Sequence, residues 1–155
     1  MQENIFNHIR RELHQHPELS GHEKKTARFV EEQLQAFTPT KIIRHVGGNG
    51  LLAEYLFSKD GPTLLFRADM DAVAVQEADT LPHHSLNPGV AHKCGHDGHT
   101  TILLRFAQML HDRPLKAGRV LLLFQPAEET MDGAADVYNA GILEKPHVDA
   151  ALALH

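Results

Sequence analysis

The stretch AHKCGHDGH, residues 91–99, places three histidines, an aspartate and the only cysteine of the chain within a few positions. Cys94 and His96 are two residues apart in a loop that precedes a helical pattern, so their side chains can converge on one centre. Thiolate and imidazole are good ligands for Zn²⁺ or a similar divalent ion, and the positive end of the helix would favour the thiolate. We therefore predict a metal site here. A free cysteine beside surface histidines is the alternative, and Asp97 fits a helix N-cap.

Two adjacent glutamates, Glu128 and Glu129, follow an apolar run and Pro126. Neighbouring carboxylates repel each other, so their juxtaposition favours a cation nearby. One of them can bind a metal while the other accepts a proton from water. A solvated acidic loop is the alternative interpretation, and it is less favoured if residues 94–96 form a metal site.

Further polar residues follow other predicted strands. Asp69 and Asp71 end the run TLLFRAD, and His155 follows AALAL. Ligands of open α/β sheets bind outside the carboxyl ends of the strands, so these groups and the helix start at 94–99 can share one edge. Asp69 and Asp71 could bind a metal directly or orient a histidine that does so.

Apolar periodicity predicts the elements that position these residues. Helices are expected from Ile5, from near Gly21, from about Asp97 with Ile102 on its apolar face, and at 133–143. Strands are expected at 41–46, 51–57, 63–69, 119–125 and 148–155. The turn SKDGP favours a hairpin between the second and third strands, and the last two strands read as buried. The alternation indicates an α/β fold in which helices sandwich a largely parallel or mixed sheet.

Composition narrows the classes of function. The 155 residues suit one domain, and a formal net charge of −5 argues against nucleic-acid binding. One cysteine cannot form an internal disulfide, which favours a reducing compartment. The N-terminus lacks the apolar stretch of a signal peptide, and no run approaches the length of a membrane span. A cytoplasmic protein that binds no membrane is expected.

The segments RRELHQHPELSGHEKKTARFVEEQL, FRADMDAVAVQE, AHKCGHDGHTTILL, LLFQPAEETMDGA and ALALH resemble, in order and spacing, the M20 metallopeptidase family. The amidohydrolase branch, with hippurate hydrolases and N-acyl-amino-acid amidohydrolases, is the most similar part of that family. The resemblance implies two divalent metal ions, with manganese, zinc, nickel or cobalt each suitable. It implies metal ligands at Cys94, His96, Glu129 and His155. Glu128 would be the general base, and Asp71 would lie behind the metals.

The implied reaction is hydrolysis of an amide bond in an N-acyl amino acid or small peptide. Family members are considerably longer, so residues 1–155 are expected to form part of the catalytic domain, without the lid domain and without a further histidine ligand. Weak or absent activity of this chain alone is expected, with a homodimer or a missing C-terminal half as the partner.

Two other classes of protein remain open. One is a metal-binding domain without catalytic activity, stabilised by a partner chain. The other is a cysteine hydrolase with Cys94 as nucleophile, which would leave the paired glutamates unexplained.

Overall fold

A computed structural model describes residues 4–78, 80–144 and 146–155. It contains four helices and five strands in these residues, in the order α1 (Ile5–Gln15), α2 (Lys24–Ala36), β1 (Lys41–Val46), β2 (Gly50–Leu56), β3 (Thr63–Asp69), α3 (His96–Asp112), β4 (Arg119–Gln125), α4 (Gly133–Asn139) and β5 (Ala150–Ala153). None of these helices has the length and apolar character needed to cross a membrane.

The strands form one mixed sheet in the order β1-β2-β4-β3-β5. β1 and β4 each pair with β2 in antiparallel fashion, whereas β4 and β5 each lie parallel to β3. Two apolar clusters cover its faces. Residues from α1, α2 and α3 pack on one face, and Val137 of α4 packs on the other. The predicted helix-covered α/β sheet is therefore confirmed, with parallel and antiparallel pairs in equal number.

The predicted hairpin between β2 and β3 is wrong, because β4 lies between these strands. Every residue from Val120 to Gln125 is buried, and a strand so apolar needs a neighbour on each side. The connection at residues 57–62 therefore crosses two inter-strand spacings, about 10 Å, instead of closing a tight turn.

The predicted burial of the last strand is also wrong. All four residues of β5 are exposed, because β5 lies at the edge of the sheet, where β3 is its neighbour. Ile102, expected on the apolar face of α3, is 55% exposed. Leu103 and Leu104 supply the buried contacts of that turn instead.

Candidate metal centre

The parallel strands β3, β4 and β5 deliver their carboxyl ends to one edge of the sheet, and the first turn of α3 lies there too. A cavity of about 240 Å³ opens at this edge. Its lining consists of Cys94, His96, His99, Glu128, Glu129 and His155. The structure thus brings together all four predicted metal ligands and the predicted base, which come from three separate segments of the chain.

The two ring nitrogens of His96 have different neighbours. Nδ1 lies 2.9 Å from the backbone oxygen of Asp71 and 3.2 Å from its Oδ1. Since both oxygens can only accept, we assign the proton to Nδ1. Nε2 faces three carboxylate oxygens, at 3.6 Å from Asp69, 3.7 Å from Glu128 and 3.6 Å from Glu129. Burial lowers the pKa of His96, but the hydrogen bond to Asp71 and the nearby negative charges outweigh it, and the net shift is upward.

Asp71 lies behind His96 and is fully buried. Its Oδ2 accepts hydrogen bonds from the Ser20 hydroxyl at 2.7 Å and from the backbone N–H of Glu129 at 2.9 Å. Burial by itself would raise the pKa of Asp71, but these donors and His96 lower it overall. A carboxylate at this position stays ionised and fixes both His96 and the backbone of Glu129.

The distances around Nε2 of His96 fit a divalent cation. Two ligand atoms, each about 2.1 Å from a metal, lie about 3 to 3.5 Å apart, close to the observed separations from Glu128 and Glu129. These three residues form one group of potential metal ligands. Oε1 of Glu129 is buried and has no hydrogen-bond partner in the described parts of the chain. A buried, unpaired carboxylate oxygen is costly unless a cation or a donor meets it, so these residues fit a metal ion.

Cys94 lies at the same cavity but is exposed. The positive end of α3 does not by itself make Cys94 a thiolate. The hydrogen bond to Glu129, followed by burial and by the charges of the carboxylates around it, raises the pKa of the Cys94 thiol to about 11. These carboxylates outweigh the helix dipole, so a bound cation is needed to favour the thiolate. The same pKa argues against the alternative of a cysteine nucleophile.

His155 approaches the cavity from the end of β5. Its Nε2 is 3.4 Å from Oε1 of Glu128, and its side chain is 78% exposed. Its position fits the predicted role of a metal ligand at the rim of the site, where few contacts of its own hold it in place.

Sequence reasoning missed His99 and left the role of Asp69 open. Nδ1 of His99 lies 2.7 Å from Oδ1 of Asp69, and the Arg67 guanidinium donates to the other oxygen at 2.9 Å. Asp69 is fully buried and, with His96 and His99, forms a second group of potential ligands. The signal was available in the sequence, since His99 lies one helical turn after His96 and shares its face.

The predicted helix cap at Asp97 is wrong. α3 begins at His96 with Gly95 as its N-cap, and no side-chain hydrogen bond caps it. Oδ2 of Asp97 instead lies 2.9 Å from Nδ1 of His14 and accepts from the Arg10 guanidinium at 3.2 Å. Asp97 thus anchors α3 to α1 and takes no part in the metal cavity.

The sequence profile of peptidase family M20/M25/M40 matches residues 65–155, more than half of the chain. This chain belongs to that family. An N-acyl-L-amino acid amidohydrolase of Geobacillus stearothermophilus is 42% identical over 148 residues, which are 94% of this chain and 39% of the relative. The chain therefore spans about two fifths of the length of this relative.

Solved structures share the fold of this chain. The Bacillus subtilis YXEP protein, described as a dinuclear metal-binding peptidase, matches with a TM-score of 0.89 and 38% identity, over 97% of this chain and 42% of its own. An aminobenzoyl-glutamate utilization protein from Klebsiella pneumoniae matches with a TM-score of 0.77 and 26% identity, over 97% and 43%. The five-stranded mixed sheet and its helices are thus part of the M20 catalytic-domain fold.

Proposed function

We propose that this chain carries most of the active site of a metal-dependent amidohydrolase that acts on N-acyl amino acids or small peptides in the cytoplasm. The observation that carries the proposal is the convergence of His96 with Glu128 and Glu129 at the edge formed by β3, β4 and β5. The Geobacillus relative acts on N-acyl-L-amino acids by its name, and the Bacillus subtilis structure binds two metals.

In this proposal Cys94, His96, Glu129 and His155 hold two divalent metal ions, with manganese or zinc favoured and nickel or cobalt suitable. Such ions polarise a carbonyl group and lower the pKa of water. Asp71 keeps Nε2 of His96 directed at the site through the bond to Nδ1.

Glu128 has the position of a general base. Oε1 lies 3.4 Å from Nε2 of His155 and Oε2 lies 3.7 Å from Nε2 of His96, and the side chain is a quarter exposed. It can accept the proton of the attacking water and pass it to the leaving amine, as hydrolysis of an amide requires.

The first test is elemental analysis of the purified chain, followed by turnover of hippurate with Mn²⁺, with EDTA and with metal restored after EDTA. We expect bound metal and weak turnover that EDTA abolishes and metal restores. A chain that takes up no metal contradicts the proposal.

Metal uptake without any turnover favours a second candidate, a metal-binding fragment completed by a partner chain. The exposed edge strand β5 and the two-fifths coverage of the relative support it, with a second copy or a separate C-terminal half as the partner. If a separate C-terminal half is the partner, turnover is expected to appear when the part of the Geobacillus relative that this chain does not cover is added.

A further inference from the structure

A buried carboxylate outside the metal cavity contacts the segment that carries the two glutamates. Glu23 lies in the loop between α1 and α2 and is fully buried. Its Oε1 accepts the backbone N–H of Gly21 at 2.9 Å and that of Ala127 at 2.8 Å. Its Oε2 accepts the side-chain amide of Asn49 at 3.0 Å. One carboxylate thereby joins three distant segments, and Ala127 directly precedes Glu128.

The backbone that Glu23 contacts has an unfavourable conformation. Ala127 has a φ of +51°, in the left-handed region that residues with a Cβ rarely adopt. Met131, after the two glutamates, has a φ of +64°. The carbonyl of Ala127 accepts the N–H of Gly133, two residues after Met131, at 3.0 Å. The loop that directs Glu128 and Glu129 is therefore a tight turn, which persists only when surrounding contacts determine it.

Helix capping does not explain the side chain of Glu23. Glu23 occupies the N-cap position of α2, yet its side chain makes no capping hydrogen bond. Glu18 caps the helix instead, since its Oε2 accepts hydrogen bonds from the backbone N–H groups of Lys25 and Thr26 at 2.8 Å each. The two carboxylates of one loop thus have separate tasks, one on the helix and one on the turn at Ala127.

We infer that Glu23 is a positioning residue of the metal centre, which holds Ala127 in its left-handed conformation and thereby directs Glu128 and Glu129 at the cavity. This inference rests on the proposed function. Ser20, in the same loop, acts in parallel on Asp71. The loop between α1 and α2 thus supports the carboxylates of both β3 and β4 from outside the cavity.

The test compares Glu23→Ala with Glu18→Ala, which removes the same charge from the same loop but leaves Ala127 untouched. Mn²⁺ alone is titrated calorimetrically into each purified chain, and thermal unfolding in EDTA reports stability. We expect Glu23→Ala to weaken Mn²⁺ binding about 10- to 100-fold, as loss of a residue that supports metal ligands does. Glu18→Ala loses thermal stability but keeps the wild-type affinity. Equal affinity in wild type and Glu23→Ala, or equal losses in both variants, overturns the inference.

Two more variants separate positioning from simple destabilisation. Glu23→Gln keeps an oxygen that can accept the N–H of Ala127, so it is expected to bind Mn²⁺ more tightly than Glu23→Ala. If Glu23→Ala fails to fold, Glu23→Gln takes its place in the comparison with wild type and is expected to show a smaller loss of affinity. Ala127→Gly, added to Glu23→Ala, removes the conformational penalty at residue 127 and is expected to restore part of the affinity. A double variant no better than Glu23→Ala contradicts the inference.

A metal-independent measurement distinguishes failure of this inference from failure of the proposed function. Hydrogen exchange at the Ala127 amide in EDTA reports its bond to Glu23. We expect slow exchange in wild type and in Glu18→Ala, and fast exchange in Glu23→Ala. If wild type binds no Mn²⁺, the proposed function fails, and the exchange rates alone decide whether Glu23 holds the turn. Slow exchange in Glu23→Ala refutes that role.

Discussion

The adjacent residues Glu128 and Glu129 have different contacts and are assigned different roles. Both carboxylates lie near Nε2 of His96, but their surroundings differ. The backbone N–H of Glu129 donates to buried Asp71, and among the described residues its buried Oε1 has no hydrogen-bond partner, with Nε2 of His96 3.6 Å away. Glu128 faces the exposed ring of His155. Both side chains are 25% exposed, so the difference lies in their partners: a residue whose backbone is fixed by a buried carboxylate suits a metal ligand, and a carboxylate beside an exposed imidazole suits proton transfer.

This difference predicts opposite effects of one chemical change. Glu129→Gln is expected to lower the amount of metal bound per chain, because an amide replaces an anionic ligand. Glu128→Gln is expected to keep the metal and to lower turnover about 10²- to 10⁴-fold, the usual contribution of a general base. Elemental analysis and hippurate hydrolysis measure the two effects. Loss of metal in Glu128→Gln with full retention in Glu129→Gln would reverse the assignment.

A second residue-scale prediction concerns Glu77, which lies away from the metal cavity and has a strongly lowered pKa. The hydrogen bond from Lys93 contributes most, the backbone N–H of Ser85 and the ring of His14 add to it, and burial opposes it. Together they lower the pKa of Glu77 from 4.5 to about 2. A carboxylate with a lowered pKa stabilises the folded state above its unfolded pKa, and this contribution is lost as the pH falls from 4.5 towards 2.

We therefore expect the free energy of unfolding to fall more steeply between pH 5 and pH 3 in wild type than in Glu77→Gln. Urea unfolding at several pH values in this range measures both slopes. Asp112→Asn, which removes an exposed carboxylate at the end of α3, is the control and should keep the wild-type slope. Parallel curves for wild type and Glu77→Gln would show that Glu77 contributes nothing to acid sensitivity.

At the scale of the elements, the sequence was sufficient to predict the helices and strands that have a strong local apolar pattern. The helices α1, α2 and α3 follow from apolar periodicity, and the strand β4 follows from a short continuous apolar run. The hairpin and the burial of β5 were wrong, because the neighbours of a strand are decided by the whole sheet. The cap at Asp97 was wrong because His14, 83 residues away, competes for its carboxylate. Glu128, Glu129 and His155 could be placed at one edge because each follows a parallel strand, whereas the assignment of ligands rests on the family resemblance and stays a prediction.

The turn after β4 gives a prediction at this scale. A Cβ added at Gly133 would lie 1.7 Å from the backbone oxygen of Pro126, whereas one added at Gly98 in α3 would meet nothing nearer than 3.8 Å. Gly133→Ala is expected to destabilise the protein by about 1 to 3 kcal/mol through overpacking. Gly98→Ala is expected to stabilise it by about 0.5 to 1 kcal/mol, because alanine is favoured inside a helix. Urea unfolding of both variants checks the signs, and a stable Gly133→Ala chain would mean that the turn is loose.

At the scale of the whole molecule, the cavity lies where the start of α3, the end of β4 and the end of β5 meet. β5 is the exposed edge of the sheet, and His155, just beyond it, reaches Glu128 at the end of β4. A cation shared between these groups would tie the edge strand to the centre of the sheet. Metal binding and the stability of the whole chain are therefore linked.

Metal at 100 times its dissociation constant stabilises a folded protein by about 2.7 kcal/mol, and each kcal/mol raises the Tm of a chain of this size by about 2 to 4 °C. His155→Ala is expected to give a smaller rise in Tm on addition of Mn²⁺ than wild type. In EDTA the two chains should unfold at the same Tm, because the side chain of His155 is 78% exposed. His147→Ala, an exposed histidine outside the cavity, is the control and should keep the full rise. If His155→Ala also keeps the full rise in Tm, the end of β5 contributes no ligand, and His96, Glu129 and Cys94 alone bind the metal.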